Sequence, residues 1–409
     1  MANSSSPSDF YMDRKKFIIV STVFIDVLGM GIIIPTLPFY VQSFGVSDFT
    51  VTLLFGAFAF FSFFSAPLLG ALSDRIGRRP VMILSIASTA IGWLVFASAR
   101  NIYLLFLGRI IDGLAAGNFS TAQSYLSDIA SNEKERAKNL GIIGAVFGAA
   151  FVIGPGIGGL LSAVSPSFPF WCVGVLAVLN MLNAFFNLSE SHLNRSKLSK
   201  LTVNPFVPIL RTIKNKAILP IIIVWLLFGI AVSIQQSVFA LYLGRVFSYG
   251  SFVSGLFMTC VGLIMIVNQG YLLSHFWLKK FNERGLELFM TGLFAVGFLL
   301  MSSSYLGIFI AGMIGMVFSQ SILRVVINSQ VIGNAGERKG EVLGAMASIM
   351  SLAMIIGPLL GGALFVAHVS MPFILSSVLA AVSFVILYNK SRLSKFDNQA
   401  PAPNDQSMI

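Results

Sequence analysis

The sequence predicts an all-α integral membrane protein, with twelve transmembrane helices in two halves of six. Three observations carry that prediction. Of 409 residues, 56% are hydrophobic and only 11% charged, where a soluble domain carries about 25% charge. Apolar runs long enough to cross a bilayer core, about 20 residues each, occur twelve times. The lysines and arginines segregate into alternate loops.

The spans are 17–41, 51–71, 81–99, 101–127, 140–163, 169–188, 217–243, 251–277, 286–304, 306–332, 342–366 and 371–389. They are helices, because backbone groups in lipid must be satisfied within the segment and the runs are too long for barrel strands. The first follows a polar, Ser-rich stretch, 1–16, that ends in Arg14-Lys15-Lys16. It is longer than a signal-peptide core, contains Asp26, Pro35 and Pro38, and shows no convincing cleavage site. With the N-terminus inside, twenty-three Lys and Arg residues fall on the cytoplasmic side and only Arg100 and Arg245 outside. That asymmetry sets both termini in the cytoplasm.

The expected organisation is a tail at 1–16, a bundle at 17–188, a basic linker at 189–216, a second bundle at 217–389 and a disordered tail at 390–409. An internal repeat supports the halves. "VIGPGIGGLL" at 152–161 recurs as "IIGPLLGGAL" at 355–364, as expected for parallel repeats about an axis along the membrane normal.

The net charge of +11 does not point to nucleic acid, since the basic residues form no continuous patch. Cys172 and Cys260 each lie inside an apolar run and read as small hydrophobes. No metal site is expected. His192, His275 and His368 sit at span ends or in loops and receive no proton role. No Walker loop is present, so a proton gradient is the natural energy source and no cofactor is expected.

Four motifs carry a family resemblance. "GALSDRIGRRP" at 70–80 resembles the loop 2–3 signature of the major facilitator superfamily, keeping Gly70, Asp74, Arg75, Gly77, Arg78 and Arg79. "LGRIIDGLAAG" at 107–117 resembles its helix 4 motif around a buried arginine, here Arg109. "GAAFVIGPGIGG" at 148–159, with Gly154, Pro155, Gly158 and Gly159, resembles its helix 5 antiporter motif. Segments 25–45 and 337–362 resemble the tetracycline and multidrug proton antiporters of the twelve-helix branch. The resemblance implies a bacterial cytoplasmic (inner) membrane and a major facilitator fold in the lipid bilayer. It also implies a non-enzymatic antiporter of protons and an amphiphilic small molecule, working as a monomer. Asp112 and Arg324 depart from that branch, and the second-half copy of the loop signature lacks its Asp-Arg core.

The resemblance implies that Asp74 latches the halves together in the outward-open state. Asp128 is the expected partner of Arg75 or Arg78. A plain positive-inside anchor would need the arginines but not the aspartate and two glycines. For the helix 5 motif the resemblance implies cavity sealing, where generic small-residue packing is the simpler reading.

Only four charges lie away from span ends: Asp26, Arg109, Asp112 and Arg324. Each costs about 3 kcal/mol at a helix centre, the set on the order of 10, unless paired or hydrated. They fall on spans 1, 4 and 10, which the resemblance makes cavity-lining together with span 7. Helical phase puts Arg109, Asp112 and Gln123 on one face of span 4 and Gln320, Arg324 and Asn328 on one face of span 10. Gln235 and Gln236 join from span 7. The expected proton-coupling set is Asp26, Arg109 and Asp112, and the polar residues are the substrate candidates. Burial favours a neutral carboxyl and a nearby arginine a charged one. Either Arg109 approaches Asp26 in one state and moves away in the other, or Asp112 holds Arg109 and leaves Asp26 free, or Asp112 is itself a second proton site. Arg324 binds an anionic or zwitterionic substrate group, or is neutralised by Asp26 or Asp112 across the cavity.

The run Phe55–Phe64 and the stripe Met346, Met350, Met354 read as packing or lipid-facing residues before pocket lining. Export of a lipid, glycolipid or anionic metabolite on the same fold is the second reading. A non-transporting receptor is the third.

Overall fold

A computed structural model describes residues 7–191, 204–215, 218–333 and 339–397. Twelve helices among them are long and apolar enough to cross a membrane, at the expected places, and no strand occurs among the described residues. The basic residues Arg195, Lys197, Lys200, Lys216 and Arg338, together with His192, lie outside them.

Several boundaries differ from expectation. The first helix begins at Pro7 and the last runs Met371–Asp397, so helix extends into both expected tails. Proline is well placed in a first turn, and no Gly or Pro interrupts 8–16 or 390–397. The remainder of the C-terminal tail, 398–409, lies outside the described residues. The linker carries a short helix, Phe206–Thr212, that packs on span 11 and seats Phe206 against Phe63 at 5.2 Å between ring centres. Its Val207 and Ile209 are half-buried and Phe206 packs by its ring edge, apolar contacts that the polar average of the linker conceals.

Two spans are irregular. Span 4 is two helices, Ile102–Leu114 and Asn118–Asp128, separated by Ala115–Gly117. Span 8 is α-helical over Ser251–Val267 and widens to a π-helix over Asn268–Trp277. Inside span 8, Asn268 is fully buried. Its amide donates to Phe318 O at 3.0 Å and Ser321 Oγ at 2.6 Å on span 10, and its oxygen accepts from Trp277 Nε1 at 2.8 Å.

Helix pairing repeats with six added to each span. Span 1 packs on 5 and 6 as span 7 packs on 11 and 12; span 3 packs on 4 and 6 as span 9 packs on 10 and 12. The main contacts between the repeats are span 2 on 11 and span 5 on 8. The repeated glycines build both kinds of contact. A Cβ on Gly154 would meet the Gly31 backbone at 3.0 Å, and one on Gly158 the Ile32 backbone at 3.0 Å, both on span 1. Their counterparts Gly357 and Gly361 face Ser233 and Ser237 on span 7. The last glycine of each copy crosses to the other repeat: Gly159 against Phe252 of span 8, Gly362 against Thr52 of span 2. Close backbone approach of this kind drives helix association in lipid. Pro155 adds to it, since a Cβ on Gly31 would lie 3.0 Å from its Cδ, and Thr259 of span 8 donates to Val152 O at 3.2 Å.

Candidate functional site

The expected proton-coupling residues come together where spans 1, 3 and 4 meet. Gly92 and Gly108 let spans 3 and 4 nearly touch: a Cβ on Gly92 would lie 2.9 Å from Gly108 O and from Asp112 Cβ. That approach buries Arg109 and Asp112. Arg109 Nη1 donates to Asp112 Oδ2 at 3.2 Å. Its guanidinium lies 4.3 Å from the Phe58 ring centre and 5.6 Å from that of Trp93, within cation–π range. Its Nε is buried with no acceptor. In this structure it is Asp112 that holds Arg109.

Asp26 is half-buried on span 1. It makes no ion pair with Arg109; its polar neighbours are Asn118 and the Asp112 carboxylate. Asn118 opens the second helix of span 4. The break exposes backbone groups at membrane depth, which is tolerated only where protein or water satisfies them. Ser65 supplies a hydroxyl to Gly113 O at 2.6 Å and Ser88 one to Ile111 O at 2.5 Å.

The substrate candidates are spread more widely. Arg324 is exposed and has no ion pair among the described residues; Asn328 donates back to Arg324 O at 2.7 Å. On the same helix face Met313 and Val317 are buried, so this face is covered toward one end and opens at Arg324. Gln123, Gln236 and Gln320 are half-buried, and Gln235 is buried on span 7.

On the face bearing the 2–3 loop, Arg78 is the centre of a charge cluster. It pairs with Asp74, with Asp128 Oδ2 at 3.1 Å and with Ser73 Oγ at 2.6 Å. Arg78 is thus the partner of Asp128, and Arg75 is exposed. A residue the sequence reading passed over completes the cluster. Glu190, after span 6, accepts the backbone N–H of Arg78 at 2.8 Å and of Arg79 at 3.3 Å. Its carboxylate occupies the space a Cβ of Gly77 would fill, and Gly77 has φ +110°. Gly70 has open space around it. All of these residues belong to the first repeat.

The opposite face is closed between the repeats. Arg245 Nη2 reaches Asp48 Oδ2 at 3.1 Å, and Gln42 donates to Asp48 at 3.0 Å. Ser162 and Ser251 hydroxyls meet at 2.6 Å. Above them lies a vestibule of about 590 Å³ lined by Phe39, Gln42, Arg245 and Tyr249. Spans 5 and 8 touch from Val152 and Gly262 to Ser162 and Ser251. Toward the 2–3 loop face they diverge, and Gly141, Gly144, Gly148 and Gly270 meet nothing within 4 Å.

Comparison with known proteins agrees with this architecture. The model of the Major Facilitator Superfamily matches residues 19–331 and 270–406. The tetracycline resistance protein, class C, of Escherichia coli is 28% identical over 365 residues, covering 86% of this chain and 90% of that protein. The quinolone resistance protein NorA of Staphylococcus aureus (strain MSSA476) is 26% identical over 395 residues, covering 95% and 100%. Among solved structures, a bacterial homolog of the human lysosomal transporter Spinster, in its inward-facing and unoccupied conformation, aligns with TM-score 0.75 at 15% identity, over 98% of this chain and all of that one. The human organic anion transporter MFSD10 aligns with TM-score 0.68 at 21% identity, over 94% and 100%. The last two likenesses concern the fold alone. With a family match along almost the whole length, twelve membrane-length helices and a repeated helix pairing, this chain belongs to the Major Facilitator Superfamily and is a multi-pass membrane transporter, not an enzyme.

Proposed function

We propose that this transporter is a proton-coupled antiporter that exports an amphiphilic small molecule, such as a drug, across a bacterial inner membrane by alternating access. The 2–3 loop face is cytoplasmic in this reading, so the structure is open inward and closed outward. One observation carries the proposal. Asp26 lies within electrostatic reach of Asp112, which pairs with the one nearby cation, Arg109, at 3.2 Å, so the set is neutral only with one proton bound. Burying net charge in a membrane is costly, and a bound proton removes it. Substrate arriving from the cytoplasm or inner leaflet displaces that proton, the outer closure opens, and a proton returns after release. The names of the two resistance proteins support a drug as cargo. The bundles 17–188 and 217–389 rock about the span 2–11 and span 5–8 contacts, and the chain works as a monomer.

The test uses inverted vesicles and ethidium or tetracycline as probe. Asp26→Asn is expected to abolish uptake driven by a pH gradient while leaving downhill exchange. Full gradient-driven uptake by that variant overturns the assignment.

A second reading, export of an anionic compound or a lipid head group, is favoured by Arg324, whose positive charge is permanent and unpaired among the described residues. Arg324→Ala is expected to reduce transport of an anionic fluorescein derivative at least tenfold if this reading holds, and to leave ethidium transport within twofold. Equal effects on both probes reject it.

A further inference from the structure

Arg109 is only 5% exposed, and a carboxylate meets only part of its charge. Among the described residues its one ion pair is with Asp112, reached by Nη1 alone at 3.2 Å. Nε is buried with no acceptor. A cation taken out of water is costly unless it is paired and its donors are satisfied. One carboxylate on one nitrogen leaves most of the guanidinium uncovered. Two aromatic rings supply the rest. The guanidinium carbon lies 4.3 Å from the Phe58 ring centre on span 2 and 5.6 Å from the Trp93 ring centre on span 3. A ring face attracts a cation through its quadrupole, most strongly where water is excluded.

Both rings are held in place by close packing. A Cβ on Gly113, the residue after Asp112, would lie 2.9 Å from Phe58 O, so spans 2 and 4 approach backbone to backbone beside the pair. Trp93 is 4% exposed and stacks on Phe170 of span 6, with 5.9 Å between centres and 7° between planes. Its edge fits against span 1, where a Cβ on Gly29 would lie 2.9 Å from Cζ2. Gly29 follows Asp26 by about one helical turn. The indole that faces Arg109 is therefore also packed on the helix that carries Asp26. We propose that Phe58 and Trp93 are positioning residues that clamp Arg109 onto Asp112 and keep it off Asp26. The rings do what a further carboxylate could not: they hold the cation without adding negative charge. Phe58 thus has a task that the phenylalanine-rich run Phe55–Phe64 around it does not share.

The use of the clamp, to leave Asp26 for a proton, rests on the proton-coupling reading above, and two readouts separate the two ideas. In the full-length protein Phe58 is replaced by phenylalanine carrying one, two or three ring fluorines, which weaken the negative face of the ring at nearly constant volume. The first readout is the rate at which phenylglyoxal modifies Arg109, followed by mass spectrometry on the purified protein in lipid. The second is uptake of ethidium into proteoliposomes driven by a pH gradient. Labelling of Arg109 is expected to rise with each fluorine, about tenfold across the series, and driven uptake to fall in step. Phe58→Trp, whose ring face is the stronger, is expected to keep Arg109 as protected as in the wild type. Phe58→Leu, apolar but without a face, is expected to match the trifluorinated protein, and Trp93→Phe to label more slowly than Trp93→Leu. Labelling that stays flat across the fluorinated series overturns the clamp and leaves the reading of Asp26 untouched. Labelling that follows the fluorines, beside full driven uptake by Asp26→Asn, sustains the clamp and rejects Asp26 as the proton site. The fluorinated series decides the matter without any change of side-chain bulk, should Phe58→Trp or Trp93→Leu not fold.

Discussion

Arg78 shows how one side chain organises a loop that looks, in sequence, like a string of charges. It is buried with Asp74, Asp128 and Ser73 around its guanidinium, while Arg75 points outward. The pairing with Asp128 was legible, because both residues had to lie at the same membrane edge. Glu190 was not. It follows span 6, more than a hundred residues away, and only tertiary packing brings it over the first N–H groups of span 3. Gly77 makes that approach possible, having positive φ and no Cβ where the carboxylate sits. Gly77→Ala is therefore expected to cost about 2 kcal/mol, from backbone strain and from the displaced cap. Thermal unfolding in detergent measures it, against Gly70→Ala, whose site has open space, as the near-neutral control. Equal midpoints for the two variants reject this account of the glycine.

At the level of elements, hydropathy was a good guide to where helices run and a poor one to how they run. All twelve spans were legible because a bilayer demands apolar length. The break in span 4 was not, because Gly113, Ala115, Ala116 and Gly117 read equally well as small residues for close packing. The available signal was Gly117 followed by Asn118, a pair suited to starting a helix. Likewise the π segment of span 8 leaves no mark in an apolar average; what holds it is Asn268, bonded to span 10. A broken span must have its backbone groups satisfied by neighbours, and Ser65 does this for Gly113 O. Ser65→Ala leaves that carbonyl only the backbone contacts of the helix end, from Ala115 N–H and, weakly at 3.4 Å, from Ala116 N. We expect a loss of about 1–3 kcal/mol, seen as a lowered unfolding midpoint. Ser98→Ala removes a hydroxyl bonded within its own exposed turn and serves as the comparison. If the two substitutions behave alike, the hydroxyl of Ser65 is not what supports the break.

Across the whole molecule, the repeat in the glycine motifs foretold the paired helix contacts, yet nothing in the sequence said which face would be closed. In the alternating-access cycle proposed above the same residues serve both states, so closure is decided by small differences between contacts at the two faces. At the closed face those contacts are few and specific. Arg245 stood out in sequence as an outside charge against the trend, and the structure gives it Asp48, 197 residues away. Arg245 is 58% exposed at its side chain, so solvent weakens the pair to about 0.2–1 kcal/mol, no more than about a fivefold change in population. Reversing one charge is a stronger perturbation than neutralising it, because it sets like charges together. The Ser162–Ser251 contact supplies the readout. Cysteines placed at both positions, in a background of Cys172→Ser and Cys260→Ser, report closure by their rate of disulfide formation. Asp48→Asn should slow that rate by up to about fivefold, and Asp48→Arg or Arg245→Asp alone by more. Combining the two reversals restores the pair with opposite polarity and should recover most of the original rate. A double reversal as slow as either single one means that the closure is held by the glycine packing of spans 5 and 8, with the ion pair a bystander.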